Sequence, residues 1–175
     1  MQFDVGQNIV HPAHGAGTII DISNQELVSG YVEYYVIEFS EQRMTIHLPV
    51  ERIDEIGLRR VMSQDKYEHV LQTLGNSPEM LPSDYKQRRQ QVEEMVNSGA
   101  PVEVARAIRE LTWRRANKPL NNSDSRLLTE ARTKLVQEVV MATGSETTKV
   151  QAEIDNALAE AFADDTIQYG NEIVH

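Results

Sequence analysis

Over roughly the first sixty residues, apolar side chains come in short runs with a period of two. From about Ser63 they recur every three or four positions, and this change divides the chain. Gln7 to His11, Gly17 to Ile22, Tyr31 to Phe39 and Arg43 to Leu48 are rich in Val, Ile, Tyr and Thr. Pro12, Gly15, Gly30 and Ser40-Glu41-Gln42 separate them, so they predict four short strands of a small barrel. In the last strand Met44, Ile46 and Leu48 alternate with Thr45 and His47, which predicts one buried face and an outward-facing Thr45 and His47.

The remainder reads as helices near 63–74, 84–97, 101–117, 122–142 and 146–162. Ser63, Ser83 and Asn121 stand where N-caps belong, and Asp124 follows Asn121 by three residues as in a weak capping box. Pro101 suits a first helical turn, where its missing N–H is not needed. The expected fold class is α+β: a β unit over 1–60, a compact helical unit of about five helices over 61–163, and a flexible tail over 164–175.

Charge adds what periodicity does not. The chain of 175 residues has a formal charge of −10, but Lys and Arg against Asp and Glu number 5 against 13 over 1–85, 11 against 6 over 86–134, and 1 against 8 over 135–175. A cationic block inside an acidic protein needs a local reason, and phosphate contact is the usual one. The absence of cysteine excludes disulfides and thiolate zinc sites and suits a reducing, cytoplasmic setting. Residues 1–6 lack the pattern of a signal peptide, and no window is apolar enough to span a membrane.

Within the basic block, the face of the helix over 84–97 carries Tyr85, Arg88, Arg89, Val92, Met95 and Val96. It changes from aromatic and cationic to apolar along its length. Either Tyr85, Lys86, Arg88 and Arg89 emerge at a helix N-terminus that favours phosphate, or Tyr85 covers the edge of the core while the arginine stems lie over apolar surface. On the next helix Val104, Ile108 and Leu111 form the main stripe, whereas Arg106, Arg109 and Trp113 share another face, followed by Arg114, Arg115 and Lys118. An aromatic among cations suits base stacking with phosphate neutralisation, but Trp113 could equally fill a groove against another helix.

His11, His14 and His47 lack the spacing of a metal cluster, so turn-stabilising or partner-facing roles are preferred for them. No phosphate loop, nucleophile elbow or convincing carboxylate pair is present, so no enzyme, cofactor or small-molecule substrate is expected.

The run Val10-His11-Pro12-Ala13-His14-Gly15-Ala16-Gly17, the strand Tyr34-Tyr35-Val36-Ile37 and Thr45-Ile46-His47-Leu48-Pro49 resemble the N-terminal module of the CarD/CdnL transcription regulators. Ile108-Arg109-Glu110-Leu111 and Ser125-Arg126-Leu127-Leu128-Thr129-Glu130-Ala131-Arg132 continue the resemblance, which covers about residues 1 to 162. Transcription-repair coupling factors share the module, but here a helical unit replaces a helicase motor. The resemblance implies a Tudor/SH3-like N-terminal domain that binds the β subunit of RNA polymerase, with Asn24, Gln25, Thr45 and His47 on that face. It also implies a helical domain that contacts promoter DNA at the upstream edge of the melted bubble; no recognition-helix motif is present and the basic residues suit backbone positioning, so sequence-specific readout is not expected. Tyr85 then falls where the family has a wedging tryptophan, beside Lys86, Arg88 and Arg89, and His47 falls where an arginine is expected.

The function these readings point to is a non-enzymatic bacterial transcription regulator that stabilises the open promoter complex through phosphate contacts and an aromatic wedge. The expected DNA-contacting set is Tyr85, Lys86, Arg88, Arg89, Arg106, Arg109, Trp113, Arg114, Arg115 and Lys118. The alternative is a protein-interaction adaptor whose helical unit is a scaffold or dimerisation element without DNA contact.

Overall fold

The computed structural model describes residues 2–170. It resolves the chain into two compact units, one ending at Met62 and the other beginning at Ser63. The first holds five antiparallel strands: β1 (Asn8–His11), β2 (Gly15–Ser23), β3 (Tyr34–Phe39), β4 (Met44–Pro49) and β5 (Arg59–Arg60). They form one Tudor-like sheet in the order β4-β3-β2-β1-β5. Among the described residues no ladder joins β4 to β5, so the sheet is open where a closed barrel would have no edge, and β4 lies along one side.

Phe3, Ile9, Ile19, Tyr35, Ile37, Phe39, Ile53 and Leu58 make the core of this unit, with Met44, Ile46 and Leu48 packed against it. Each such side chain contributes about 1.5–3 kcal/mol when fully buried. The pairing of β2 with β3 slips between Ile19 and Asp21, and the intervening Ile20 is left exposed. At Gly17 the Phe39 ring passes so close that a Cβ would stand 2.8 Å from two ring carbons and 2.9 Å from the Glu38 carbonyl oxygen. Only glycine fits there. The strand expected from Tyr31 begins instead at Tyr34, because Val28 and Tyr31 close a small bridge in the preceding turn.

The second unit comprises α2 (Gln64–Gly75), α3 (Tyr85–Asn97), α4 (Pro101–Asn117), α5 (Asn122–Thr143) and α6 (Thr147–Gly170), a four-residue α1 (Ile53–Ile56) having preceded it in the sheet unit. Ser63 caps α2 by accepting from the Lys66 N–H, Asn121 caps α5 by accepting from the Asp124 N–H, and Pro101 opens α4. For α3 the cap is Asp84 rather than Ser83: its carboxylate accepts from the Gln87 N–H at 2.9 Å. The helix α6 runs into the stretch expected as a tail, of which residues 171–175 lie outside the described residues.

Val92 and Val96 of α3, Ile108 and Leu111 of α4, Leu135 and Val139 of α5, and Val150 and Ile154 of α6 fill the helical core. Three residues connect α3 to α4 and four connect α4 to α5, so these helices run up, down and up. The start of α3, the end of α4 and the start of α5 therefore share one end of the bundle.

Candidate functional site

That end is fastened by a buried ion pair. Arg88, in the first turn of α3 and 4% exposed, donates from Nε to Asp124 Oδ2 at 3.0 Å, and Asp124 in the first turn of α5 is fully enclosed. The Nη1 of Arg88 donates to the Pro82 and Ser83 carbonyls at 3.2 and 3.0 Å, fixing the segment that enters α3. Tyr85 stands above it, 43% exposed, with its ring centroid 5.9 Å from the Arg88 Cζ.

The cations of the basic block fall into two sets. Arg88 meets Asp124, Arg89 meets Glu93 at 2.8 Å, Arg106 meets Glu79 and Glu103, and Arg109 meets Glu110. Arg132 and Lys134 likewise pair with Asp155 and Glu130. Lys86, Arg114, Arg115, Lys118 and Arg126 meet no carboxylate among the described residues. All five lie at the start of α3, the end of α4 or the start of α5. Unneutralised charge thus collects at the end that presents Tyr85.

Three of the expected contact residues face elsewhere. Arg109 is 3% exposed and donates to Glu110 from Nε at 2.8 Å and to the Thr73 carbonyl from Nη1 at 2.8 Å, so it braces α4 against α2. Burial pushes the Glu110 carboxyl upward from its ordinary value, with Arg109 opposing that shift. Arg88 is equally removed from a ligand, because its donors serve Asp124 and the two carbonyls. Trp113 stacks obliquely on Phe162 of α6, ring centroids 5.3 Å apart, which makes it an interhelical packing residue. Arg106 remains partly exposed but is bound to Glu79 at 2.8 Å and Glu103 at 3.0 Å, and it stands nine residues before Arg115, about 13 Å along the helix axis. The Asp84 cap also occupies the Gln87 N–H at the start of α3, one of the backbone donors a phosphate would otherwise meet there.

In the sheet unit Thr45 and His47 are exposed on the edge strand β4, and Asn24 and Gln25 are exposed in the loop after β2. Among the described residues the outer side of β4 has no strand partner, so its backbone groups form a template for β-augmentation. His11 closes its own turn: its Nδ1 accepts from the Ala13 and His14 N–H groups, and its ring stacks on His14 at 4.6 Å. No group of three or more His, Cys, Asp or Glu among the described residues is placed to hold a metal. No helix among them is long and apolar enough to cross a membrane.

Comparison with known proteins decides the family. Residues 3–62 match the CarD-like/TRCF RID domain, and residues 69–155 match the CarD C-terminal domain. A Bacillus subtilis (strain 168) protein, "Putative transcription factor YdeB", is 32% identical over 144 residues, spanning 81% of this chain and 93% of that protein. The chain belongs to the CarD family. It is a family of transcription regulators, and both matched domains occur here in one chain and fall in the two separate units.

Within this CarD-family chain, Arg126 was missing from the expected contact set. It lies in a motif that carried the resemblance, yet a sequence lists cations without their partners. Local spacing misleads here: Glu130 stands at i+4 from Arg126 as Glu93 does from Arg89, but Glu130 takes Lys134 at 2.8 Å instead and leaves Arg126 to solvent.

Proposed function

We propose that this chain regulates transcription by docking its sheet unit on the β subunit of RNA polymerase and stabilising the open promoter complex with its helical unit. β4 with Thr45 and His47, and the Asn24-Gln25 loop, form the polymerase face. Tyr85 is the aromatic wedge at the upstream edge of the bubble, while Lys86, Arg89, Arg114, Arg115, Lys118 and Arg126 contact phosphates around it. These contacts position the protein without reading base sequence. The reading needs no catalytic residue, cofactor or small-molecule substrate, and it places the protein in the cytoplasm, at the nucleoid through polymerase.

The observation that carries the proposal is the coincidence of unpaired cations with an exposed aromatic at one end of a helical unit, in a chain whose formal charge is −10. Net repulsion keeps affinity for free DNA low, and tethering by polymerase raises the local concentration at the fork. Open-complex lifetime on one promoter, with and without protein, tests this reading. Lengthening by the native chain and loss of that lengthening in Tyr85→Ala are expected. An unchanged effect of Tyr85→Ala, with polymerase binding retained, would favour the adaptor role instead.

A further inference from the structure

We infer that Arg88 is a positioning residue: its buried pairing with Asp124 makes a pedestal that holds the Tyr85 ring ready for its partner. The inference rests on the proposed function and assigns a role that no exposed residue could fill.

The geometry is unusually complete for one side chain. A single guanidinium binds the α5 carboxylate of Asp124, captures the carbonyls of Pro82 and Ser83 immediately before α3, and lies 5.9 Å below the Tyr85 centroid. Asp124 is in turn held by Asn121, whose Nδ2 donates to the same Oδ2 at 3.1 Å. Arg88 therefore lies against one side of a ring that stays 43% exposed, and Arg89, which also interacts with Tyr85, stands outside the buried pair. A ring already fixed loses less conformational freedom on binding, so preorganisation adds to affinity without adding a contact.

Lysine could not replace this arginine. Its ammonium is a point charge on a flexible stem, whereas the planar fork reaches the carboxylate and both carbonyls together. The Asp124 Oδ1 is enclosed and has no hydrogen-bond partner among the described residues, so a substitute that bound Oδ2 less well would leave this carboxylate poorer still.

Because Arg88→Ala strands a buried carboxylate and threatens the fold, the test uses the paired replacement Arg88→Met with Asp124→Leu, which exchanges the ion pair for apolar volume. The full-length chain is titrated onto purified RNA polymerase bound to a forked promoter duplex, with thermal unfolding followed in parallel. Tyr85→Ala is expected to weaken binding about tenfold, the size of one lost stacking contact. The paired replacement should weaken it by a similar factor with native-like unfolding. In the Tyr85→Ala background it should weaken it no further, since a pedestal without its ring has nothing to position.

Equal weakening in both backgrounds, or none in either, overturns the positioning role while the proposed function stands. No weakening by Tyr85→Ala alone overturns the wedge and this inference with it. Should the paired replacement melt early, Arg88→Lys carries the same cycle, and an additive result there likewise overturns the role.

Discussion

Beneath β4 the inward residues Met44, Ile46 and Leu48 are apolar and the outward ones, Thr45 and His47, are polar. At the start of α3 both inward and outward positions are cationic, with Arg88 inside and Lys86 and Arg89 outside. In the sheet unit a residue's chemistry announces its face. In the helical unit the same chemistry serves two purposes, and only the location of a partner carboxylate separates them. Arg88 and Arg109 bind acids inside the bundle, whereas Lys86, Arg115 and Arg126 keep their charge for something outside it.

The sharpest way to break this comparison is to treat Arg88 as though it were a surface cation. Arg88→Ala should destabilise the helical unit by about 3–5 kcal/mol, because it leaves Asp124 charged and enclosed. Urea unfolding measures this, and a midpoint equal to the native one would return Arg88 to the surface set. The counterpart in the sheet unit is steric. Gly17→Ala drives a methyl against Phe39 and the Glu38 carbonyl and should cost about 1–3 kcal/mol, seen as a lowered unfolding midpoint of the sheet unit.

Smaller effects follow at the exposed positions. Tyr85→Ala should change stability by less than about 0.5 kcal/mol while shortening open-complex lifetime, so the two measurements should separate at this residue. Lys86→Ala, Arg115→Ala and Arg126→Ala should leave unfolding unaltered. Each should reduce the salt dependence of promoter association by about one phosphate's share, a slope change near 0.9 for duplex DNA. A slope in Arg109→Met equal to the native one, read on protein that unfolding shows to remain folded, would fit its buried place, and a reduced slope would contradict it.

These contrasts also explain what was legible beforehand. The strands of the sheet unit, the five long helices, the caps at Ser63 and Asn121 and the opening of α4 at Pro101 follow from local patterns, because each depends on neighbours within a few residues. β5 is only Arg59-Arg60, and α1 is one turn, both too short to carry a period. Ser83 and Asp84 are adjacent N-cap residues, and which one acts depends on where the chain enters α3, a matter settled by Arg88 thirty-six positions from Asp124. Trp113 was open to two readings for the same reason: Phe162 lies on another helix, 49 residues further along.

Among the described residues Arg43 is the one non-glycine with positive φ, at 51°, and it leads directly into β4. A side chain in the left-handed region costs roughly 1–2 kcal/mol, while glycine's extra chain entropy offsets about 0.5–1 of that. Arg43→Gly should therefore firm the hairpin by a few tenths to about 1 kcal/mol, read as a small rise in midpoint. For anyone engineering the protein, this is headroom: a sturdier scaffold is within reach at a site that touches neither Thr45 nor His47.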